Sequence, residues 1–350
     1  MSDEVVHQRL NLPLTITPEK CSGGTYIVTG ANTGLGLEAA KHLVAVGAAK
    51  VILAVRNIAA GEAAKDRIIK ETGKLGTAEV WALDLTSYES VKTFASKAIE
   101  ELDRIDAVIE NAAVASAHGR AEGHLLSMTV NVYSTLLLGV LLLPKLEENA
   151  QRYGITPHLT IVTSGASFDT HSKWNEIKDD PLAKMDNESI GLLLWVSAIP
   201  LRLHVVFCRS EFADSILYRY PISKLIGIFA IRKLASLLPV SKTGVVLNLV
   251  NPGLCKTELS RNAPPAFQQQ LSEMHARFGR TAEDGSRTLL HGAVAGKESH
   301  GVYLNDCEPA DHKLPSWITD EEGNRTQDLL WGALARELEV ISPGCIHSII

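Results

Sequence analysis

The sequence predicts a doubly wound α/β domain, a parallel sheet with helices on both faces. Three observations predict it. From residue 25 onward, short β-branched runs alternate with longer helical patterns. The runs are apolar almost throughout instead of at every second residue, as in strands buried on both faces. The segments between them are long enough for helical crossovers, which join parallel strands with a right-handed turn.

The elements follow in order. TYIVT (25–29) reads as a buried strand, and LEAAKHLVAVG after it as an amphipathic helix ending in a glycine suited to a helix C-terminus. KVILAV (50–55) is a second strand, followed by a helix over 59–72. AEVWAL (78–83) is a third, with a helix over 87–102, and IDAVIEN (105–111) a fourth. A long apolar segment spans 122–149, then HLTIVTS (158–164) and GVVLNLV (244–250) read as the fifth and sixth strands. Leu125 to Pro144 carries no formal charge, a length that matches a membrane span. Its Ser127, Thr129, Asn131, Ser134 and Thr135 fit better a helix buried in the core or at a subunit interface.

The chain has 350 residues, 45% hydrophobic and 21% charged, with a formal charge of −6 and pI near 6.1. That length allows one large or two small domains, and the composition argues against disorder. The acidic balance gives no global pull toward nucleic acid or anionic membrane. The five cysteines lie far apart with no CxxC pair, which argues against a disulfide framework or a cysteine zinc site and for a reducing compartment. The first twenty residues hold no apolar signal core, and CIHSII fits neither a prenylation box nor a peroxisomal tripeptide. A cytoplasmic protein is the expectation.

The first strand runs straight into Thr29-Gly30-Ala31-Asn32-Thr33-Gly34-Leu35-Gly36, where a helical pattern begins. Glycines at such a turn let the backbone approach a pyrophosphate, whose charge meets the helix N-terminus. The spacing differs from GxGxxG and resembles that of the short-chain dehydrogenase/reductase family. At the end of the second strand, Ala54-Val55-Arg56-Asn57 offers no carboxylate for a ribose 2′-hydroxyl, while Arg56 suits a 2′-phosphate. NADP(H) is therefore expected over NAD. Asp84-Leu85 matches the family's Asp near the adenine, and Asn111-Ala112-Ala113 its Asn-Ala-Gly, with Ala for Gly.

Proton transfer to a substrate oxygen by a tyrosine near neutrality needs a positive charge that favours the phenolate. A lysine four residues on in a helix shares its face. Two pairs have that spacing, Tyr88/Lys92 and Tyr220/Lys224. Tyr88 follows the third strand, whereas Tyr220 follows the fifth, as the family requires, and opens the apolar helix LIGIFAIRKLASLL. The resemblance implies that Lys224 binds the nicotinamide ribose and lowers the Tyr220 pKa. It implies that Ser164, in Val162-Thr163-Ser164-Gly165-Ala166-Ser167, holds the substrate oxygen, with Ser167 second in register. Asn131 matches the family's proton-relay Asn, and Asn251-Pro252-Gly253-Leu254-Cys255-Lys256-Thr257 resembles its Pro-Gly-x-x-x-Thr segment, with Leu254 and Thr257 at the nicotinamide.

The match runs from about residue 23 to 257, and the ending resembles a fungal branch with retinol-dehydrogenase-like sequences. It implies one Rossmann-like catalytic domain over 23–350, preceded by an N-terminal extension (1–22) and carrying a C-terminal extension (about 305–350). It implies a small carbonyl or alcohol substrate, a place in secondary metabolism, and a homodimer or homotetramer through the helices at 122–149 and 219–239. Ser164 and Tyr220 stand 56 residues apart, far beyond the family's usual spacing, and the excess falls at about 187–215. Three readings fit that stretch: a substrate lid, translated non-coding sequence, or a membrane span that would put Ser164 and Tyr220 on opposite sides of a bilayer. The rival functions are an NADP-binding sensor and an inactive product carrying the insert. VTSGA is not the GxSxG of a serine hydrolase, and the twelve histidines show no HExxH spacing.

Overall fold

The computed structural model describes residues 3–116, 119–186, 204–261, 263 and 265–350, with residues 3–4 and 204–217 as backbone. Residues 187–203, most of the expected insert, lie outside the described residues. The strands are β1 (Thr25–Thr29), β2 (Lys50–Val55), β3 (Ala78–Ala82), β4 (Ala107–Glu110), β5 (Arg120–Ala121), β6 (His124–Leu125), β7 (His158–Val162), β8 (Val246–Asn251), β9 (Tyr303–Asn305) and β10 (Glu308–Pro309). Eight of them form one sheet in the order β10-β9-β8-β7-β4-β1-β2-β3, and every pair but β9–β10 is parallel. The strand order reverses between β1 and β4, which opens a crevice at their carboxyl ends, where ligands of such sheets bind. This is the expected doubly wound architecture, extended by β9, a three-residue parallel strand too short to show a pattern of its own.

Alternate strand residues face opposite layers. Val28, Leu53, Ala107, Ile109 and Val162 pack with helices α1 (Gly34–Val46), α2 (Ile58–Thr72) and α6 (Ala282–Gly292). Ile27, Ile52, Val108, Leu159 and Ile161 pack with α3 (Tyr88–Glu101), α4 (Leu126–Tyr153), α5 (His204–Leu237) and α7 (Glu321–Ile341). The expected stop of α1 is met by Gly47, left-handed at φ 99°, whose N–H bonds the carbonyls of Leu43 and Val44.

Helix α4 is apolar and long enough to cross a membrane, but 89% of its apolar window is buried inside the protein. It is the core helix expected, with one irregularity: Thr129–Ser134 form a π-helical turn, and Asn131 sits in it. Helix α5 (His204–Leu237) is already helical well before Tyr220, where the sequence pattern put its start. From Ile222 to Leu234 it is buried on nearly all sides, and α7 packs along it, with Lys233 paired to Asp328 at 2.6 Å. The face at 219–239 expected to meet a second subunit is thus covered by the chain's own C-terminal segment. In the N-terminal stretch, Leu12, Ile16 and Cys21 are buried.

Candidate active site

The turn after β1 is shaped by close approach. Gly30 has φ 67°, and a Cβ there would stand 3.1 Å from the Ala112 Cα. A Cβ on Gly36 would stand 2.7 Å from the Asn111 side-chain nitrogen. Asn111 donates from that nitrogen to the Thr29 carbonyl at 2.9 Å. The Thr29 hydroxyl accepts the backbone N–H groups of Asn111 and Ala112 at 3.0 and 2.9 Å. The Asn111 amide therefore welds β1 to β4 at the crevice. Thr29, which the sequence reading used only as motif context, is its anchor.

The N-terminus of α1 is left open to an anion. Its cap residue Thr33 makes no side-chain capping bond, and the first turn carries no acidic residue. Across from it, Thr257 carbons lie 3.6 and 3.7 Å from where a Gly34 Cβ would be. A cleft of about 390 Å3 between them is lined by Thr33, Gly34, Arg67, Lys256, Thr257 and His275, among others. Asn32 and Leu35 flank the turn, both partly buried, and Leu35 leans on the core. Arg56 follows β2, exposed and without an ion-pair partner among the described residues. Asp84, beyond β3, accepts from the Thr86 N–H and hydroxyl at 2.9 and 2.8 Å. An uncapped helix end, a crowded glycine turn and a free guanidinium fit the diphosphate and 2′-phosphate of a dinucleotide.

Ser164 ends the backbone after β7, partly exposed, and its hydroxyl accepts the Ala166 N–H at 3.3 Å. Ser167 is fully buried and its hydroxyl is committed to the Ser164 carbonyl at 2.6 Å, which leaves Ser164 facing the site. The Ser164 side chain acts on the Tyr220 phenol, so the two ends of the long excess segment come close to one another at one site. Lys224, one turn beyond Tyr220, has its amine 5.9 Å from the Tyr220 ring and donates to the Val162 carbonyl at 2.7 Å. Asn131 grips Val114 through both its amide groups at 2.9 Å and donates to the Ser223 hydroxyl at 2.9 Å. Ser223 in turn donates to the Tyr220 carbonyl at 2.7 Å. The π turn of α4 is thereby tied to the helix turn that holds Tyr220, a link through Ser223 that sequence reasoning missed. The rival pair dissolves: Tyr88 is a core residue, and Lys92 is paired with Glu89 at 3.0 Å.

The electrostatics correct one expectation. Burial pushes Tyr220 up to about 12, opposed by the Ser164 side chain, so its phenol stands above its ordinary value and not below it. Burial lowers Lys224 to about 8, opposed by the charge of Glu110. Lys224 is not among the groups that shift Tyr220, and its amine is held by the Val162 carbonyl, 5.9 Å from the ring. The arrangement presents a protonated phenol beside a serine hydroxyl, a proton donor set for an oxygen placed between them.

The loop after β8 is held from an unexpected side. The Leu254 N–H donates to the Gln8 side chain at 2.8 Å, and the Leu254 carbonyl accepts from Gln8 at 3.1 Å and from the Arg280 N–H at 2.8 Å. The Leu254 backbone expected to face a nicotinamide is therefore engaged within the chain by the N-terminal segment.

A family profile described as short chain dehydrogenase matches residues 25–172. The chain is 38% identical over 329 residues to the short chain dehydrogenase/reductase dmxR8 of Cryptosporiopsis sp. (strain 8999), covering 92% of this chain and 93% of that one. It is 35% identical over 327 residues to the short-chain dehydrogenase anuD of Penicillium roqueforti (strain FM164), covering 92% and 79%. Among solved structures, a short chain dehydrogenase from Shigella flexneri 2a str. 301, complexed with NADP, superposes with a TM-score of 0.57 at 19% identity, over 83% of this chain and all of that one. A 7α-hydroxysteroid dehydrogenase complexed with NADH and 7-oxo glycochenodeoxycholic acid gives 0.56 at 20% identity, over 82% and 93%.

Proposed function

The chain belongs to the short-chain dehydrogenase/reductase family of oxidoreductases, and on that premise we propose that it interconverts a carbonyl and an alcohol with NADP(H), using Tyr220 as general acid and base. The observation that carries the reading is Lys224 one helical turn beyond Tyr220, its amine 5.9 Å from the Tyr220 ring, with Ser164 acting on the same phenol.

Bound in the crevice, the nicotinamide cofactor would supply or accept the hydride. Gly30, Gly34 and the open end of α1 would take its diphosphate, with Asn32, Thr33, Leu35 and Gly36 shaping the turn. Arg56 would pair with a 2′-phosphate, and Asp84 would stand beside the adenine. Asn111 supports the turn from behind, and Thr257 closes the far side. Tyr220 would give its proton to the substrate oxygen in reduction and take it back in oxidation, while Ser164 orients that oxygen. Lys224 would bind the ribose once drawn from the Val162 carbonyl. Asn131 would connect the site to solvent for proton return, through the groups it shares with Val114 and Ser223. The setting proposed is the cytoplasm of a fungus and its secondary metabolism, in keeping with the fungal relatives.

A panel of carbonyls and secondary alcohols, run with NADPH/NADP and NADH/NAD in parallel, tests this. Turnover with NADPH that is lost in Tyr220→Phe, with NADPH binding retained, is the expected result. Cofactor binding with no turnover of any substrate by the unmodified protein would mark a sensor instead. A preference for NADH would overturn the role given to Arg56.

A further inference from the structure

Glu110, at the carboxyl end of β4, is a buried charged residue that the mechanism above leaves unused. It ends β4 in the same alternation as Val108, so its side chain enters the layer of α4 and α5, not that of α1. It is 3% exposed, and neither carboxyl oxygen has a hydrogen-bond partner among the described residues. Helix α4 makes room for it: a Cβ on Gly139 would stand 3.2 Å from Glu110 Oε1. A lone carboxylate in such surroundings costs several kcal/mol, so it stays protonated until a positive charge offsets the burial.

Lys224 is the cation whose charge acts on Glu110, with no direct ion pair between them among the described residues. Glu110 pairs with Ile161 in the β4–β7 register, and the neighbouring Val162 carbonyl holds the Lys224 amine. The other groups around the pair are Tyr220 on α5 and Cys255 from the loop after β8, which faces Tyr220. Asn131 on α4 and Thr163 after β7 are neutral, and His158 lies at the opposite end of β7. Fully protonated, the pair is a neutral acid beside an ammonium. Loss of one proton to solvent leaves either a carboxylate facing an ammonium or a neutral acid facing a neutral amine.

Resting on the oxidoreductase reading, we propose that Glu110 is a positioning residue for the reaction: it releases that first proton in place of Lys224, so the ammonium near Tyr220 persists as pH rises. The acid form of Glu110 is favoured by burial, and its carboxylate is favoured by Lys224 alone. Without Glu110, the first proton lost has only one source, which is Lys224 itself.

Glu110→Gln keeps the shape and removes the proton. The expected result is a basic limb of kcat/KM displaced toward acid by on the order of one pH unit, about a tenfold loss above the limb. Activity on the acid side should stay within about twofold, and Glu110→Asp should restore much of the profile. NADPH binding followed by protein fluorescence should weaken at correspondingly lower pH in the Gln variant. An unchanged basic limb, or one displaced toward base, would overturn the proposal. In the unmodified protein, 13C-carboxyl NMR should find one glutamate titrating above the others but before the basic limb. A carboxyl still protonated beyond that limb also overturns it, whether or not the Gln variant folds. If the unmodified protein binds NADPH yet turns nothing over, the oxidoreductase reading fails, and the NMR and binding arms still decide the role of Glu110.

Discussion

Gln8 brackets Leu254, donating to its carbonyl at 3.1 Å and accepting its N–H at 2.8 Å, while also donating to the Phe278 carbonyl at 2.5 Å. A side chain near the start of the chain therefore fixes the loop that follows β8, on the side of the crevice proposed for the nicotinamide. Each such bond is worth about 0.5–1.5 kcal/mol net. Gln8→Ala should weaken NADPH binding by about three- to tenfold, read by fluorescence titration. Unchanged binding with a lowered Tm would reduce Gln8 to a purely structural strap.

The same loop rests on Arg280, which is fully buried. Its guanidinium pairs with Asp306 and donates to the carbonyls of Arg9 and Pro252, both at 2.7 Å. Lys313 adds a second cation to Asp306 at 3.2 Å. Removing one partner of a buried pair strands the other charge, at about 3–5 kcal/mol. Arg280→Met should lower unfolding stability by that amount, seen as a reduced urea midpoint at unchanged slope. A loss below about 1 kcal/mol would mean that the site repacks freely.

Arg56 predicts cofactor choice. It is exposed, and the role proposed for it is a charge-assisted contact with a 2′-phosphate, worth about 1.5–3 kcal/mol. Arg56→Ala should raise the KM for NADPH by roughly ten- to a hundredfold and leave the NADH value nearly unchanged. Equal losses with both cofactors would remove Arg56 from discrimination.

Much of this site was legible in the sequence because its parts are local. The turn from Thr29 to Gly36 and the Tyr220/Lys224 spacing lie within one or two helical turns, so residue type and periodicity bring them out as candidates, and the place after the fifth strand favours Tyr220 over Tyr88. What was not legible is long-range. Gln8 meets Leu254 across most of the chain, and α7 covers α5 with a surface that carries no motif. Strand β9 is three residues long and gains its place only from pairing with β8. Glu110 did leave a signal, a carboxylate in the otherwise apolar run IDAVIEN, whose meaning depends on which layer it faces.

Asn131 and Ser223 should separate stability from catalysis. Asn131→Ala leaves the Val114 N–H and carbonyl without their side-chain partner and cuts the tie to Tyr220's helix turn. A loss of about 2–3 kcal/mol and a fall in kcat are expected. Ser223→Ala removes only the last tie, at about 1 kcal/mol, and should lower kcat less. Thermal unfolding and steady-state kinetics on both variants check the order, and a larger kcat loss in Ser223→Ala would invert it.

Lys224 should weaken the fold that it equips for catalysis. Its folded value of about 8 lies below the ordinary 10.5, so between those limits the unfolded chain binds more protons than the folded one. Stability then rises with pH across that window, and the cost of the buried ammonium is present in full below it. Lys224→Met removes this group, so at pH 7 it should be the more stable protein, by on the order of 2–3 kcal/mol, with turnover lost. The rise above pH 8 contributed by Lys224 should vanish with it. Denaturant unfolding of both proteins across pH 7 to 10.5 reads the difference. A Met variant less stable than the parent at pH 7 would show that the Val162 carbonyl and Glu110 together more than offset the burial of the charge.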